Sequence, residues 1–342
     1  MSQTTLQTLR ELCNHVGVGG LTAVRDVAIA YLKEYTTDIT IDAAGSVIAT
    51  ISADDIHAPT VLLEAHMDEI GFVVTAIENG GFVRVSPCGG VDLRVLANSP
   101  VIVWGTEPLH GVFCTIPPHL KKETEDKATP TDKLLIDIGV TGETEPLVKV
   151  GDRVSFAPNF EVLQNTVITS KALDNRAGMA AILHALSLLK NKPLPYTLKI
   201  VFATGEELGC RGATSAAYAA NADAAIVTDV SFAYTPDAPR SECGDLGKGA
   251  MCGIAPTLDT VFSNALMDIA QKNNIAYQTE VVGGKTGTDA DVISIARTGV
   301  RTALLSVPLK YMHTPIETAD IRDIEAVGAL MAACIQKEVF SR

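Results

Sequence analysis

The chain has 342 residues, 47% hydrophobic and 20% charged, which is typical of a folded protein with one large domain or two. Its net charge of −13 argues against a nucleic-acid partner, because phosphate contacts need a basic surface. The apolar runs are too short to span a membrane, and seven scattered cysteines without a Cys-x-x-Cys pair argue against a disulfide framework, so we expect a cytoplasmic protein with no membrane partner.

The first part of the chain predicts helices followed by strands. Apolar residues at helical spacing predict amphipathic helices over residues 5–16 and 23–35. Residues 40–51 predict a hairpin with its turn at Ala44 and Gly45, and residues 60–69 predict a buried strand rich in β-branched and apolar residues.

This strand ends in a histidine and an acid. Residues two apart in an extended segment point to the same side, so Asp68 can accept one ring N–H of His66 and leave the other ring nitrogen free for a metal. The alternative is a core histidine paired with an acid at a strand end.

From residue 70 to residue 162 short alternating runs replace the helical pattern. They are separated by glycines and prolines and predict strands over residues 71–77, 82–85, 101–104, 112–116, 134–138 and 153–157. The charged segment 118–132 is expected to be a solvated loop. We therefore expect an all-β domain inserted into an α/β domain.

Asp174 follows next, in front of an apolar run at 177–189 that predicts a helix. One carboxylate has two oxygens and can bridge two cations about 3.5–4 Å apart, as a two-metal hydrolase requires. The alternative is that Asp174 or Asn175 caps the helix.

Residues 196–204 predict a strand that runs into Glu206 and Glu207. Glycines at 205 and 209 permit a turn that brings both carboxylates to one site, where one can bind metal and its neighbour can act as general base. The alternative is a pair of solvated loop glutamates.

Two further predicted strands, 224–229 and 302–308, lead to Asp229 and to His313, and a last helix is expected over 321–340 with Thr318 as its cap. Because open α/β sheets carry their sites beyond the carboxyl ends of the strands, both residues fit the same site. The glycine-rich stretch 283–290 does not match a P-loop and predicts a tight turn or a close approach of backbone to substrate.

Together these stretches offer five metal ligands, with Glu206 as general base and Asp68 as the partner of a histidine. The five are His66, Asp174, Glu207, Asp229 and His313. One bridging acid and two private ligands for each metal leave positions open for water and substrate. Imidazole and carboxylate ligands suit two Zn²⁺ ions, with Co²⁺ or Mn²⁺ as alternatives.

The chain resembles the M42 family of metallo-aminopeptidases, which includes glutamyl and deblocking aminopeptidases. The motifs that carry the resemblance occur in family order: His66-Met67-Asp68, Ala172-Leu173-Asp174-Asn175-Arg176-Ala177-Gly178, Gly205-Glu206-Glu207-Leu208-Gly209, Thr228-Asp229 and Tyr311-Met312-His313-Thr314-Pro315-Ile316-Glu317.

The resemblance implies a specific use of these residues. One metal would be held by His66, Asp174 and Asp229, and the other by Asp174, Glu207 and His313. The reaction would be removal of N-terminal residues from peptides, with a metal-activated water attacking the first peptide carbonyl and Glu206 as its base.

The resemblance also implies an architecture: an α/β fold with a mixed sheet flanked by helices, of the zinc-peptidase phosphorylase/hydrolase-like type. Residues 1–69 and 163–342 would form the catalytic domain, and residues 70–162 an inserted all-β assembly domain. The expected partners are peptide substrates and other copies of the chain, in a dodecamer.

Two stretches depart from the family pattern. Residues 17–21 lack the usual Ser-Gly and acid, and Lys285-Thr286-Gly287 lengthens the usual Gly-Gly-Thr-Asp run. The second departure bears on substrate selection.

Three other functions remain open at this stage. The first is a related di-zinc amidohydrolase, either a carboxypeptidase or an N-acyl deacylase. Glycoside hydrolysis is disfavoured because adjacent Glu206 and Glu207 do not easily flank a sugar bond. The third is a non-catalytic particle or metal store.

Overall fold

The computed structural model describes residues 3–120, 129–141, 144, 147–337 and 340. The helices in this part of the chain are α1 (Gln3–Asn14), α2 (Ala23–Leu32), α3 (Leu173–Leu189), α4 (Arg211–Ala220), α5 (Thr260–Lys272), α6 (Ala290–Ile293) and α7 (Ile321–Ile335). The strands are β1 (Ile39–Ile41), β2 (Val47–Ile51), β3 (Thr60–His66), β4 (Gly71–Glu78), β5 (Phe82–Cys88), β6 (Pro100–Trp104), β7 (Pro108–Phe113), β8 (Leu135–Asp137), β9 (Arg153–Phe156), β10 (Glu161–Val162), β11 (Val167–Ser170), β12 (Thr197–Ala203), β13 (Ala224–Phe232), β14 (Ala250–Ile254), β15 (Tyr277–Val281), β16 (Arg301–Leu309) and β17 (Glu317–Asp320).

An eight-stranded mixed sheet forms the centre of the molecule, in the order β1-β2-β12-β3-β13-β16-β14-β15. The four central strands β12, β3, β13 and β16 run parallel. They are the near-continuous apolar runs that burial on both faces requires. The expected mixed sheet flanked by helices is confirmed.

Helices cover both faces of this sheet. Apolar residues of α1, α2, α3, α5 and α7 form the larger core on one face, with Leu266 and Leu330 fully buried. Apolar residues of α4 and α6, among them Ala216 and Ile293, form a smaller core on the other. Because both faces are covered, polar side chains gather where the strands end.

A closed six-stranded barrel, in the order β4-β5-β8-β7-β6-β9, lies between β3 and β10 along the chain. Its interior contains Phe72, whose ring makes edge contacts with those of Phe113 and Phe156 at centroid distances of 4.8 and 5.7 Å. The six short runs predicted between residues 71 and 157 correspond to these six strands. Of the loop predicted at 118–132, residues 121–128 lie outside the described part of the chain.

Several boundaries differ from the predicted ones. The last helix ends at Ile335 rather than at residue 340. Phe340 lies beyond the helix, and its ring packs on those of Tyr196 and Phe262. This packing explains why an apolar residue stands at position 340. The cap of α7 is Asp320 rather than Thr318, since its carboxylate accepts the backbone N–H of Arg322. Helices α4, α5 and α6, strands β14 and β15, and a small β10-β11-β17 sheet were not predicted. In the described part of the chain, no helix combines the length and apolarity that crossing a membrane requires.

Candidate metal centre

The predicted site residues meet at one edge of the central sheet. His66 ends β3, Glu206 and Glu207 follow β12, and Asp229 lies in the last half of β13. These three strands are parallel neighbours, so their carboxyl ends lie side by side.

His66 is surrounded by carboxylates. Its Nε2 lies 3.0 Å from Asp174 Oδ1, 3.7 Å from Asp229 Oδ1 and 4.0 Å from Glu206 Oε2. Its Nδ1 lies 3.5 Å from Asp68 Oδ1, so Asp68 stands on the side of the ring away from the other three acids. This is the arrangement expected of a histidine whose Nε2 is presented to a metal.

Asp174 connects this group to a second one. While its Oδ1 faces His66, its Oδ2 lies 3.4 Å from His313 Nε2, which is also 3.5 Å from Glu207 Oε1. Two sets of three ligand atoms therefore each lie within 4.8 Å of one another, and they share Asp174: His66, Asp174 and Asp229, and Asp174, Glu207 and His313.

The first turn of α3 positions Asp174. Residues 174 and 175 depart from helical backbone angles, so Asp174 projects towards the histidines instead of along the helix. Asn175 turns the other way, where its amide donates to the Thr228 carbonyl at 2.7 Å and its Oδ1 accepts the Gly178 N–H at 3.0 Å. Of the two residues offered as a cap, Asn175 fulfils that role.

Asp68 has a second function that the sequence did not indicate. Its two carboxylate oxygens accept the backbone N–H groups of Glu206 and Glu207, at 3.1 and 3.3 Å. Gly205 and Gly209, at φ of 72° and 97°, form the turn that presents this pair. The same carboxylate therefore orients both a histidine and the two adjacent glutamates.

Glu317 also orients site residues through backbone hydrogen bonds, a function that was not predicted for it. It is almost fully buried, and its carboxylate accepts the backbone N–H of Asp174 and that of His313, both at 3.0 Å. His313 lies at φ of 62°, in the left-handed region that side chains other than glycine seldom adopt. The hydrogen bonds to Glu317 hold this backbone in place.

Burial and charge shift the protonation of the site strongly. Burial raises the pKa of Glu206 to about 6 and the pKa of Glu207 to about 8. The hydrogen bond to Asp174 raises the pKa of His313 to about 9. Burial opposes ionisation of Asp174, but hydrogen bonds from His313 and His66 outweigh it and hold the pKa of Asp174 below its ordinary value.

The donor set fits divalent cations. Four carboxylates, those of Asp174, Glu206, Glu207 and Asp229, share a small, largely buried volume with two imidazoles. Crowded carboxylates repel one another and are costly to bury unless cations balance them. No lysine or arginine of the described chain forms an ion pair with any of the four, so positive charge for them comes from the two histidines, when protonated, or from bound cations.

The two ligand groups open into a cavity of about 750 Å³. The glycine-rich stretch contributes Gly283, Thr286, Gly287 and Thr288 to its wall. The backbone of this stretch is fixed by Asp291, whose carboxylate accepts the N–H groups of Thr286 and Gly287 at 3.0 Å each. The stretch therefore forms part of the cavity wall, and the close approach of its backbone to a substrate stays a prediction.

Two buried ionic features escaped the sequence analysis. Glu64 and Asp289 are each about 1% exposed, and their carboxyl groups face each other; burial raises the pKa of both. Lys171 donates to Glu69 at 2.7 Å, both fully enclosed. The sequence carries one sign of these features: Glu64 and Lys171 lie inside or beside apolar runs, where a charged residue is buried only if it is paired.

Known proteins resemble this chain over most of its length. The family model described as M42 glutamyl aminopeptidase matches residues 45–330. A lysyl aminopeptidase of Pyrococcus furiosus is 32% identical, over 97% of this chain and 96% of its own. A glutamyl aminopeptidase of Lactococcus lactis is 30% identical, over 91% and 90%. The solved TET1 peptidase of Pyrococcus horikoshii superposes with a TM-score of 0.86 at 30% identity, over 97% of this chain and 99% of that one.

Proposed function

The chain belongs to the M42 glutamyl aminopeptidase family and is therefore a peptidase, and from this premise we propose a two-metal mechanism for it at the site just described. The observation that carries the proposal is Asp174, whose two oxygens face two separate ligand groups. In the proposal His66, Asp174 and Asp229 hold one divalent cation, and Asp174, Glu207 and His313 hold the other. The mixed imidazole and carboxylate donors favour Zn²⁺, with Co²⁺ or Mn²⁺ as alternatives.

When bound, the cations would supply Lewis acidity for a water and for the scissile carbonyl. Glu206 is the proposed general base. Its Oε2 lies 4.0 Å from His66 Nε2, at the edge of the first group, while the carboxylate remains outside both sets of three ligands. Burial raises its pKa to about 6, so Glu206 can accept the proton of the attacking water and return it to the leaving amine.

Asp68 positions this chemistry without contacting substrate. It faces Nδ1 of His66 and so directs Nε2 towards the first cation, and its oxygens hold the N–H groups of Glu206 and Glu207. The free α-amine of a peptide carries positive charge and would lie against the carboxylates of the cluster. That placement confines attack to the first peptide bond.

The decisive experiment compares two adjacent substitutions. Glu206→Gln should retain both cations and lose turnover of aminoacyl arylamides by about 10²- to 10⁴-fold. Glu207→Gln should instead lower the metal content, because it removes a ligand. Metal content by mass spectrometry is measured on the samples used for kinetics. Near-normal turnover by metal-loaded Glu206→Gln would show that the assigned base is wrong.

A second panel separates the aminopeptidase from its nearest alternative. Peptides with free and with acetylated N-termini are compared, and only the free ones should be cleaved. A carboxypeptidase would release the C-terminal residue from both, and an N-acyl deacylase would act on the acetylated ones alone.

The proposed architecture assigns residues 1–69 and 163–342 to catalysis and residues 70–162 to assembly. The TET1 peptidase of Pyrococcus horikoshii is described as assembling into a tetrahedron or a large octahedral shell. In this chain Val95, Val112 and Val150, in and around the barrel, are 44%, 38% and 65% exposed, and contact between copies at the barrel would bury them. Light scattering after size exclusion should give the mass of a dodecamer, and a monomer would refute the assignment.

A further inference from the structure

The cavity has a second polar feature that the hydrolytic mechanism does not use. Glu280, on β15, lines the same cavity as the two ligand groups. Its Oε2 accepts a hydrogen bond from Ser306 Oγ at 2.8 Å, and its Oε1 accepts one from Ser231 Oγ. Both serines are buried, so the carboxylate is fixed in position.

The two serines place the Glu280 carboxylate at a distance from the metal ligand Asp229 that is comparable to the length of a lysyl side chain. Ser231 follows Asp229 by two residues on β13, so both side chains lie on the same face, about 7 Å apart along the strand. Ser306 is paired directly with Asp229 across the parallel β13 and β16 ladder. A lysyl side chain extends about 6 Å from Cα to Nζ. A residue whose α-carbon lies beside the cluster can therefore reach Glu280.

The charge of the cavity favours a cation at this point. Apart from the cluster, the wall carries Glu242 and Glu280, and none of the described residues that line it is a lysine or an arginine. Glu280 has no ion-pair partner within 4.0 Å among the described residues, and its two hydrogen bonds come from neutral hydroxyls. Burial raises the pKa of Glu280, which reflects the cost of an unbalanced charge there.

Apolar side chains that suit an aliphatic stem line the same cavity as Glu280. Met251, Val281 and Met312 are among them. Apolar contacts together with one fixed charge match a side chain made of methylenes with a terminal cation.

We propose that Glu280, fixed by Ser231 and Ser306, binds the ammonium or guanidinium group of a basic residue at the substrate's N-terminus, so that the enzyme removes lysine and arginine in preference to neutral and acidic residues. This inference rests on the proposed aminopeptidase function. Family membership does not decide it, because the relatives include a lysyl and a glutamyl aminopeptidase.

The test compares arylamides of lysine, arginine, norleucine and glutamate with the metal-loaded enzyme. Norleucine retains most of the lysine stem without its charge. The wild type should show a kcat/KM for lysine about 10- to 100-fold above that for norleucine, the range for a hydrogen bond to a charged group, with glutamate lowest. Glu280→Gln should remove most of this difference and leave norleucine turnover within about threefold.

Glu242→Gln is the matched control, because Glu242 lines the same cavity but is exposed to solvent. It should preserve the ratio of lysine to norleucine. Glu280→Lys is a second variant and should reverse the order in favour of glutamate. Metal content is measured for each variant.

Two results would overturn the inference while leaving the aminopeptidase intact: a wild type that prefers norleucine or glutamate, and a Glu280→Gln variant that lowers lysine and norleucine turnover equally. Failure of the metal-loaded wild type to cleave any free-amine substrate would refute the proposed function itself, and this inference with it.

Discussion

Glu317→Ala is the sharpest test of how the fold holds the metal centre. The carboxylate of Glu317 joins two segments that are distant in sequence, since it accepts the backbone N–H of Asp174 and that of His313 at 3.0 Å each. Removing this carboxylate frees the backbone of Asp174 on one side and that of His313 on the other. Glu317 itself contacts neither Glu206 nor the wall of the cavity.

The expected magnitude follows from those two hydrogen bonds. Each buried N–H group left without an acceptor costs about 1–3 kcal/mol, and the variant leaves two of them. His313 sits in left-handed backbone, at φ of 62°, which costs on the order of 1–3 kcal/mol when nothing compensates. Part of the loss lowers overall stability. The remaining part should weaken metal binding about 10- to 100-fold, which is the usual effect of removing a residue that hydrogen-bonds to metal ligands.

The assay is a competition between the protein and a chromophoric chelator for Zn²⁺. The control is Asp323→Ala, because Asp323 is equally buried and its carboxylate also accepts two backbone N–H groups, from Gly247 and Gly249 at 2.7 Å each. Both variants should lose stability, and only Glu317→Ala should lose metal affinity. Equal affinities in the two variants would refute the idea that Glu317 organises the ligands.

Three further outcomes are expected. Lys171→Met leaves the enclosed Glu69 with the Arg176 guanidinium, at 3.5 Å, as its remaining cation. The variant should lower the free energy of unfolding by about 1.5–3 kcal/mol in urea titrations, the range for a hydrogen bond to a charged group. The Lys171→Met/Glu69→Gln double variant should recover part of this loss, and no recovery would contradict the ion pair as its cause. Gly90→Ala places a methyl group 2.9 Å from His313 Nδ1 and should reduce kcat/KM about 10²-fold in a protein that melts normally, so unchanged activity would contradict the described position of the ring. In the metal-free protein the hydrogen bond to Asp174 raises the pKa of His313 to about 9, so metal binding at pH 7 should release protons and should tighten as the pH rises towards 9. Calorimetry in two buffers of different ionisation enthalpy measures the proton release, and equal heats of binding in the two buffers would contradict it.

The sequence predicted those parts of the molecule that depend on local pattern and on a general property of parallel sheets. The predicted strands 60–69 and 224–229 are apolar runs with His66 and Asp229 at or near their carboxyl ends, which places both residues at one edge of a parallel sheet. Short alternating runs likewise predicted six strands between residues 71 and 157.

What escaped prediction depends on tertiary contacts. Strand β15 is half-exposed along its length and lacks a regular alternation, and β14 contains small residues, so neither had a distinct pattern. Glu317 was visible in the motif around His313. Its role needed knowledge that the start of β17 passes beside the first turn of α3, and this pairing brings together residues 143 positions apart.

The adjacent glutamates show why sequence spacing alone could not divide the catalytic roles. Glu206 and Glu207 share one turn and one anchor, Asp68, yet Glu206 faces His66 while Glu207 faces His313. A strand would have sent the two carboxylates to opposite faces of the sheet, and a helix would have separated them by about 100°. The glycine turn instead directs both into one cavity. Burial then raises the pKa of Glu206 to about 6 and that of Glu207 to about 8.

The surroundings of the two carboxylates divide their roles. Glu207 lies with His313 and Asp174, where a bound cation would favour its ionised form. The carboxylate left over is Glu206, which lies outside both ligand groups and so is available to act as the base.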